Sequence, residues 1–233
     1  MKMEVPGDAD AVAKRAAHII AEEARASVAA CGRFTMAVSG GRTPWAMLRA
    51  LASEDLPWQA VHIFQVDERI APAGDPDRNL THLRESLLAR APLPQEQIYA
   101  MPVEMPDAIA AAATYAATLE RIAEAPPTLD LVHLGLGPDG HTASLVPNDP
   151  VLEVRDRDVA ITAPYQGRRR MTLTYPVINR ARRILWVITG GEKTAMLRRL
   201  LAGDASIPAG RVAQERALVI ADRPAAEDGE RGQ

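Results

Sequence analysis

One histidine of the five in this 233-residue chain stands apart by its setting. The stretch Gly135-Leu136-Gly137-Pro138-Asp139-Gly140-His141-Thr142-Ala143-Ser144 places His141 in a glycine-rich loop directly after the apolar run Asp130–Leu136. Imidazole is the side chain best suited to move protons near neutral pH. A loop on the edge of a rigid sheet is where such groups tend to serve. The alternative is a histidine satisfied by neighbouring backbone. His133, inside the apolar run, reads as a buried structural residue, while His18, His62 and His82 have no distinguishing context. No two histidines show HExxH or another metal-ligand spacing, so no metal is expected.

Three further segments favour anions or charge. Ser39-Gly40-Gly41-Arg42-Thr43-Pro44 joins two glycines, two hydroxyls and a guanidinium at a helix start. Glycines let backbone approach an anion, and a helix N-terminus offers free N–H groups and a favourable dipole. The GxxxxGK[ST] spacing of a nucleotide P-loop is absent, and a plain strand-to-helix turn is the other reading. Val66-Asp67-Glu68-Arg69 sets carboxylate and guanidinium at a strand end, either for chemistry or for a local salt bridge. Gly190-Gly191-Glu192-Lys193 opens another helix. Of 27 basic residues only Lys2, Lys14 and Lys193 are lysine. In a chain that spells positive charge as Arg, a compact ammonium at Lys193 suits a phosphate oxygen; a solvated lysine is the alternative. Residues 155–183 hold eight Arg against two Asp, mostly a solvated surface, from which one of Arg168, Arg169 and Arg170 could face an anionic ligand.

These segments need a scaffold, and the periodicity supplies one. Residues 8–31 repeat apolar positions at helical spacing, with Asp8 or Asp10 as cap and Gly32 as stop. Helices are also predicted near 44–53, 79–90, 107–124 and 191–202. Short apolar runs at 34–38, 61–66, 97–101, 130–136, 159–162, 171–174, 184–189 and 217–220 read as strands. Alternating strands and helices imply parallel βαβ units in a covered sheet, which binds ligands beyond the carboxyl ends of its strands. The segments 39–43, 67–69, 137–144 and 190–193 each follow a predicted strand. Falling on one sheet edge, they predict one shared site and one domain over residues 1–222, with 223–233 a flexible tail.

Composition narrows the classes further. Hydrophobic residues are 47% and charged residues 24%, with a net charge of −3, which argues against a general nucleic-acid binder. A single cysteine, Cys31, cannot build a disulfide framework and fits a reducing compartment. No apolar run reaches transmembrane length and the N-terminus lacks a signal-type apolar stretch, so a cytoplasmic protein with no membrane partner is expected. The serine-hydrolase pattern Gly-x-Ser-x-Gly is absent. Gly135-Leu136-Gly137-Pro138-Asp139-Gly140 matches the GxGxxG spacing, but it comes late, carries a proline and leads into the histidine loop.

Taken together and in order, these residues resemble the 6-phosphogluconolactonase family over about residues 8–222. Ser39–Pro44 is similar to its phosphate loop, Val66–Arg69 to its acidic–basic strand end, and Gly135–Pro147 to its signature. Met171–Thr174, Ile184–Val187 with Gly190–Lys193, and Ile207–Ala209 continue the likeness. Family members often carry Ser-Asn where this chain has Arg78-Asn79, and Phe where it has Val146. The resemblance implies a Rossmann-like, doubly wound α/β fold, a mostly parallel sheet with helices on both faces. It implies hydrolysis of 6-phospho-D-glucono-1,5-lactone, the second step of the oxidative pentose phosphate pathway, with no cofactor. The working unit is expected to be a monomer, or at most a weak dimer.

Lactone hydrolysis needs an activated water, a stabilised oxyanion and a proton for the departing oxygen. His141 is the expected base and acid, Asp67 the group that orients His141 or the water, and Arg69 a ligand for substrate or oxyanion charge. Ser39, Gly40, Gly41, Arg42, Thr43 and Lys193, with Arg170, Asp139 and Gly140, are expected to bind substrate and its phosphate. Two other readings remain: a glucosamine-6-phosphate deaminase or isomerase, and a non-catalytic sugar-phosphate sensor. The first is disfavoured by Arg69 and by the lack of Glu between His141 and Leu152. The second usually brings a helix-turn-helix, and only about 33 residues precede the first predicted strand.

Overall fold

The computed structural model describes residues 1–227. Along them run β1 (Lys2–Gly7), α1 (Ala9–Cys31), β2 (Phe34–Val38), α2 (Arg42–Leu51), β3 (Val61–Gln65), β4 (Asp67–Arg69) and α3 (Asn79–Leu83). Then come β5 (Ile98–Tyr99), α4 (Ala108–Ala123), β6 (Leu131–Leu134), β7 (Val159–Ile161), β8 (Arg170–Leu173) and α5 (Tyr175–Arg180). Last are β9 (Arg183–Ile188), α6 (Thr194–Leu201), β10 (Ala217–Asp222) and α7 (Arg223–Ala226).

Seven strands make one sheet in the order β1-β10-β9-β6-β2-β3-β5. Every neighbouring pair in it is parallel. The chain winds outward from β2 through β3 to β5, then restarts at β6 on the other flank of β2. Strand order thus reverses between β2 and β6, where such sheets leave a crevice at their carboxyl ends. Strands covered on both faces read as continuous apolar runs, and β2 shows why. Phe34, Met36 and Val38 pack under α1 and α2, while Ala37 faces Tyr115 of α4. The capping chemistry of α1 matches its sequence: Asp8 Oδ1 accepts from Ala11 N at 2.8 Å, and Gly32 closes the helix at φ 78°. No helix among the described residues is long and apolar enough to cross a membrane.

Several elements depart from the sequence expectation. β1 was unannounced because it is an edge strand with Met3 and Val5 exposed, and an edge tolerates Pro6. β4, β8 and β7 form a separate antiparallel sheet, so Asp67–Arg69 is itself a strand. Its register sets Arg69 opposite Arg170. The helix predicted over 79–90 is α-helical only to Leu83 and widens into a π turn over Arg84–Leu88. α5 starts with Pro176 in its first turn, a position that suits the missing N–H. Of the expected tail at 223–233, Arg223–Ala226 is helical, capped by Asp222 through Ala225 N at 2.9 Å, and residues 228–233 lie outside the described residues.

The two sheets are tied by a buried carboxylate. Glu68 is fully enclosed and accepts from Gln65 Nε2 at 2.9 Å and from the amides of Arg69, Asn79 and Leu80 at 2.8 Å each. α3 has no side-chain cap of its own, so Glu68 satisfies its first amides from across the fold. Arg78, enclosed beside it, brings Nε to 3.4 Å from Glu68 and also pairs with Glu104. Removing one partner of a buried pair leaves the other uncompensated. Glu68→Ala is therefore expected to lower stability by about 3–5 kcal/mol, measured as a lower urea midpoint. The isosteric Glu68→Gln, which keeps an acceptor oxygen, is expected to lose less.

Candidate active site

A cleft of about 610 Å³ opens where β2, β6 and β9 end. Its floor is pinned at the strand reversal: Ser39 Oγ donates to His133 O at 2.9 Å and Ser39 N to His133 Nδ1 at 3.3 Å. His133 is wholly buried, with its pKa pushed down to about 3 by burial alone. It is a neutral strut, as its place in the apolar strand suggested. Beyond Ser39 the backbone turns through Gly40 and Gly41, the latter at φ 124°. At Gly40 a Cβ would fall 1.8 Å from Asn79 Oδ1, so only glycine lets the Asn79 carboxamide sit there. α2 then starts with no side-chain cap, and its first-turn amides have no intrahelical acceptor. Thr43 Oγ1 meets Thr189 Oγ1 at 2.6 Å across the floor.

Opposite this loop stands Lys193, half-buried in the cleft wall and without a side-chain partner among the described residues. Burial holds its pKa below the usual lysine value, and the Arg42 charge adds to that, against Glu192 and Asp139. A cation in that setting gains from an arriving anion. On the side of the second sheet, Asp67 accepts from Ser144 Oγ at 2.6 Å and from Asn79 Nδ2 at 3.1 Å. Asn79 Oδ1 in turn accepts from Arg69. Asp67 and Arg69 are thus joined through Asn79 rather than as the direct salt bridge the sequence allowed. Arg170 is the one of Arg168–Arg170 that faces the cleft. Burial lowers its pKa, as does the neighbouring Arg69 charge, against Asp67. Its Nε has no hydrogen-bond partner among the described residues. Most other arginines of 155–183 are paired outside the cleft, such as Arg180 with Asp158 and Arg183 with Glu23 at 2.9 Å.

His141 hangs from the β6 loop, which is closed by Gly137 N to His141 O at 2.8 Å. A Cβ on Gly137 would lie 2.1 Å from His141 Nδ1, so the ring rests on bare backbone. Nδ1 is 2.6 Å from Asp139 Oδ1, which also accepts from His141 N at 3.1 Å. That contact assigns the proton to Nδ1 and leaves Nε2 as the free basic nitrogen. Partial burial pushes the Asp139 carboxyl up, but the His141 charge and the hydrogen bonds it receives outweigh this and hold it below the usual range.

Ser39, Gly40, Gly41, Arg42, Thr43, Asp67, Arg69, His141, Arg170 and Lys193 all line this one cleft. Asp139 and Gly140, expected to bind substrate or its phosphate, are not among the residues that line it. Asp139 holds the ring, taking the orienting place expected of Asp67, while Gly140 packs on Ile207 and accepts from Ala209 N at 2.9 Å. Sequence reasoning missed Asn79, whose signal would have been a polar residue opposite a glycine, and Asp222, whose carboxylate accepts from Gly190 N at 3.0 Å. Ser144 lay inside the recognised loop, with nothing to mark Asp67 as its partner. Among the described residues no three His, Cys, Asp or Glu side chains converge as for a metal ion.

The chain is similar to known proteins in sequence and in fold. A 6-phosphogluconolactonase of Nostoc sp. is 36% identical over 207 residues, covering 87% of this chain and 86% of that protein. One from Mycobacterium tuberculosis is 34% identical over 238 residues and 96% of each chain. Among solved structures, a 6-phosphogluconolactonase of Thermotoga maritima superposes with a TM-score of 0.83 at 27% identity, over 95% of this chain and 98% of that one. A monomeric glucosamine-6-phosphate deaminase superposes at 0.84 over 97% and 99%, but at 19% identity it speaks for the fold alone. Residues 7–220 match the sequence family described as glucosamine-6-phosphate isomerases/6-phosphogluconolactonase, and the chain belongs to that family.

Proposed function

We propose that this protein hydrolyses 6-phospho-D-glucono-1,5-lactone to 6-phospho-D-gluconate, the second step of the oxidative pentose phosphate pathway. The observation that carries the reading is the His141–Asp139 pair at 2.6 Å, with His141 in a cleft that Arg42, Arg69, Arg170 and Lys193 also line. The relatives named 6-phosphogluconolactonase support the same reaction.

The substrate's 6-phosphate sits between the 39–43 loop with the first amides of α2 and the Lys193 ammonium. This leaves the lactone ring toward Arg69, Arg170 and His141. Nε2 of His141 takes a proton from water as it attacks the lactone carbonyl, and Asp139 stabilises the imidazolium that forms. Arg69 or Arg170 compensates the charge developing on the carbonyl oxygen. The imidazolium then returns its proton to the ring oxygen as the C–O bond breaks. Asp67, with Asn79 and Ser144, holds Arg69 in place.

The test follows the lactone by NMR with and without enzyme, subtracting its spontaneous opening. Net turnover is expected; ammonia release from glucosamine 6-phosphate without lactone turnover would transfer the protein to the deaminase branch of its family. His141→Ala is expected to lower kcat by about a hundred- to ten-thousand-fold. Lys193→Met should raise KM for the lactone about ten- to a hundredfold while kcat falls much less, since it removes a charge-assisted contact made before and during reaction. Steady-state kinetics above background separate the two effects.

A further inference from the structure

Tyr165 sits on the tight turn between β7 and β8, outside the machinery assigned above. Its hydroxyl donates to Asp139 Oδ2 at 3.0 Å, the oxygen left over once Oδ1 has taken His141. Its ring stands edge-on to the imidazole, centroids 5.8 Å apart at 63°. On its other side the Arg170 guanidinium lies 4.9 Å from the ring centroid. The turn is itself held firmly. Tyr165 N donates to Arg168 O at 2.9 Å, and Gln166 and Gly167 take left-handed φ values of 52° and 80°. Gln166 Oε1 accepts from Arg170 Nη2 at 3.0 Å, and Arg168 reaches Asp75 at 3.0 Å and Asp77 at 3.4 Å.

We propose that Tyr165 is a positioning residue for the lactone hydrolysis, the outer member of a chain His141–Asp139–Tyr165. It rests on the reaction proposed above. A carboxylate anchored through one oxygen can swing about its terminal torsion and release the imidazole. Anchoring the second oxygen removes that freedom, so the His141 tautomer and ring plane are set by a residue that never meets the substrate. The phenol stays a donor: burial raises its pKa, and donating to Asp139 raises it further, against Arg170. The charged groups facing this chain are Arg170 beside Tyr165 and Lys193 within electrostatic reach of Asp139. Because the same Arg170 lines the cleft, the turn links substrate-side charge to the orientation of the base.

Tyr165→Phe keeps the ring against Arg170 and removes only the hydroxyl; Tyr165→Leu removes both. In Tyr165→Phe, kcat is expected to fall about tenfold with KM nearly unchanged. The acid limb of kcat/KM should move to lower pH: a carboxylate that swings off Nδ1 stabilises the imidazolium less, so the ring gives up its proton sooner. The imidazole 15N shifts of His141, which need no turnover, should show a mixture of tautomers in place of the Nδ1–H form. Tyr165→Leu should add a rise in KM through Arg170. If the wild type turns over lactone but Tyr165→Phe retains its kcat, acid limb and tautomer, with only Tyr165→Leu impaired, the residue merely packs and the proposal fails. A wild type without lactone turnover instead overturns the reaction on which the proposal rests.

Discussion

Glu68 joins three stretches of backbone from a single buried point. Its two oxygens take the amide that follows it, the first amides of α3 and the side chain of Gln65, while Arg78 supplies the opposite charge from inside the same enclosure. An enclosed carboxylate is tolerable only when its lone pairs are used and its charge is answered, and here both conditions are met by the end of β3, by β4 and by the residues that open α3. Arg69 and Asn79 both leave from the residues so fixed. The orientation of the cationic wall therefore follows from a group that no substrate could touch.

The positions that carry chemistry were legible to very different degrees. The four loops could be found because glycines, hydroxyls and charges interrupt apolar runs at each strand end, and a parallel sheet obliges those ends to share an edge. His141 and Lys193 were marked by context, one by its glycine-rich loop and the other by the scarcity of lysine. Asn79 was invisible because its role depends on the empty space above Gly40, a relation across 39 positions with no local pattern. The exchange of partners between Asp67 and Asp139 was equally hidden. Three carboxylates lie near strand ends in the sequence, and only the packing decides which meets the imidazole and which meets Ser144.

The fold followed a similar division. Apolar periodicity located the covered strands and the long helices, since burial on both faces leaves a strong signature. It failed for elements whose stability comes from pairing rather than from their own apolar content. β1 is held at the rim by β10 with four of its six residues exposed, and Asp67–Arg69 is polar throughout yet completes an antiparallel sheet with β8. That second sheet matters to the site, because its register, not any helix or loop, sets two guanidinium groups side by side against their mutual repulsion.

The fit of Asn79 into the space above Gly40 restricts how this chain can vary. A side chain at position 40 and the carboxamide at position 79 claim the same volume, so neither residue is free to drift alone. A lineage could leave this arrangement only by shortening one residue before or together with enlarging the other. Each lone step would also release Arg69 and Asp67 from the carboxamide that joins them. The two positions thus behave, for descent, as a single unit of inheritance.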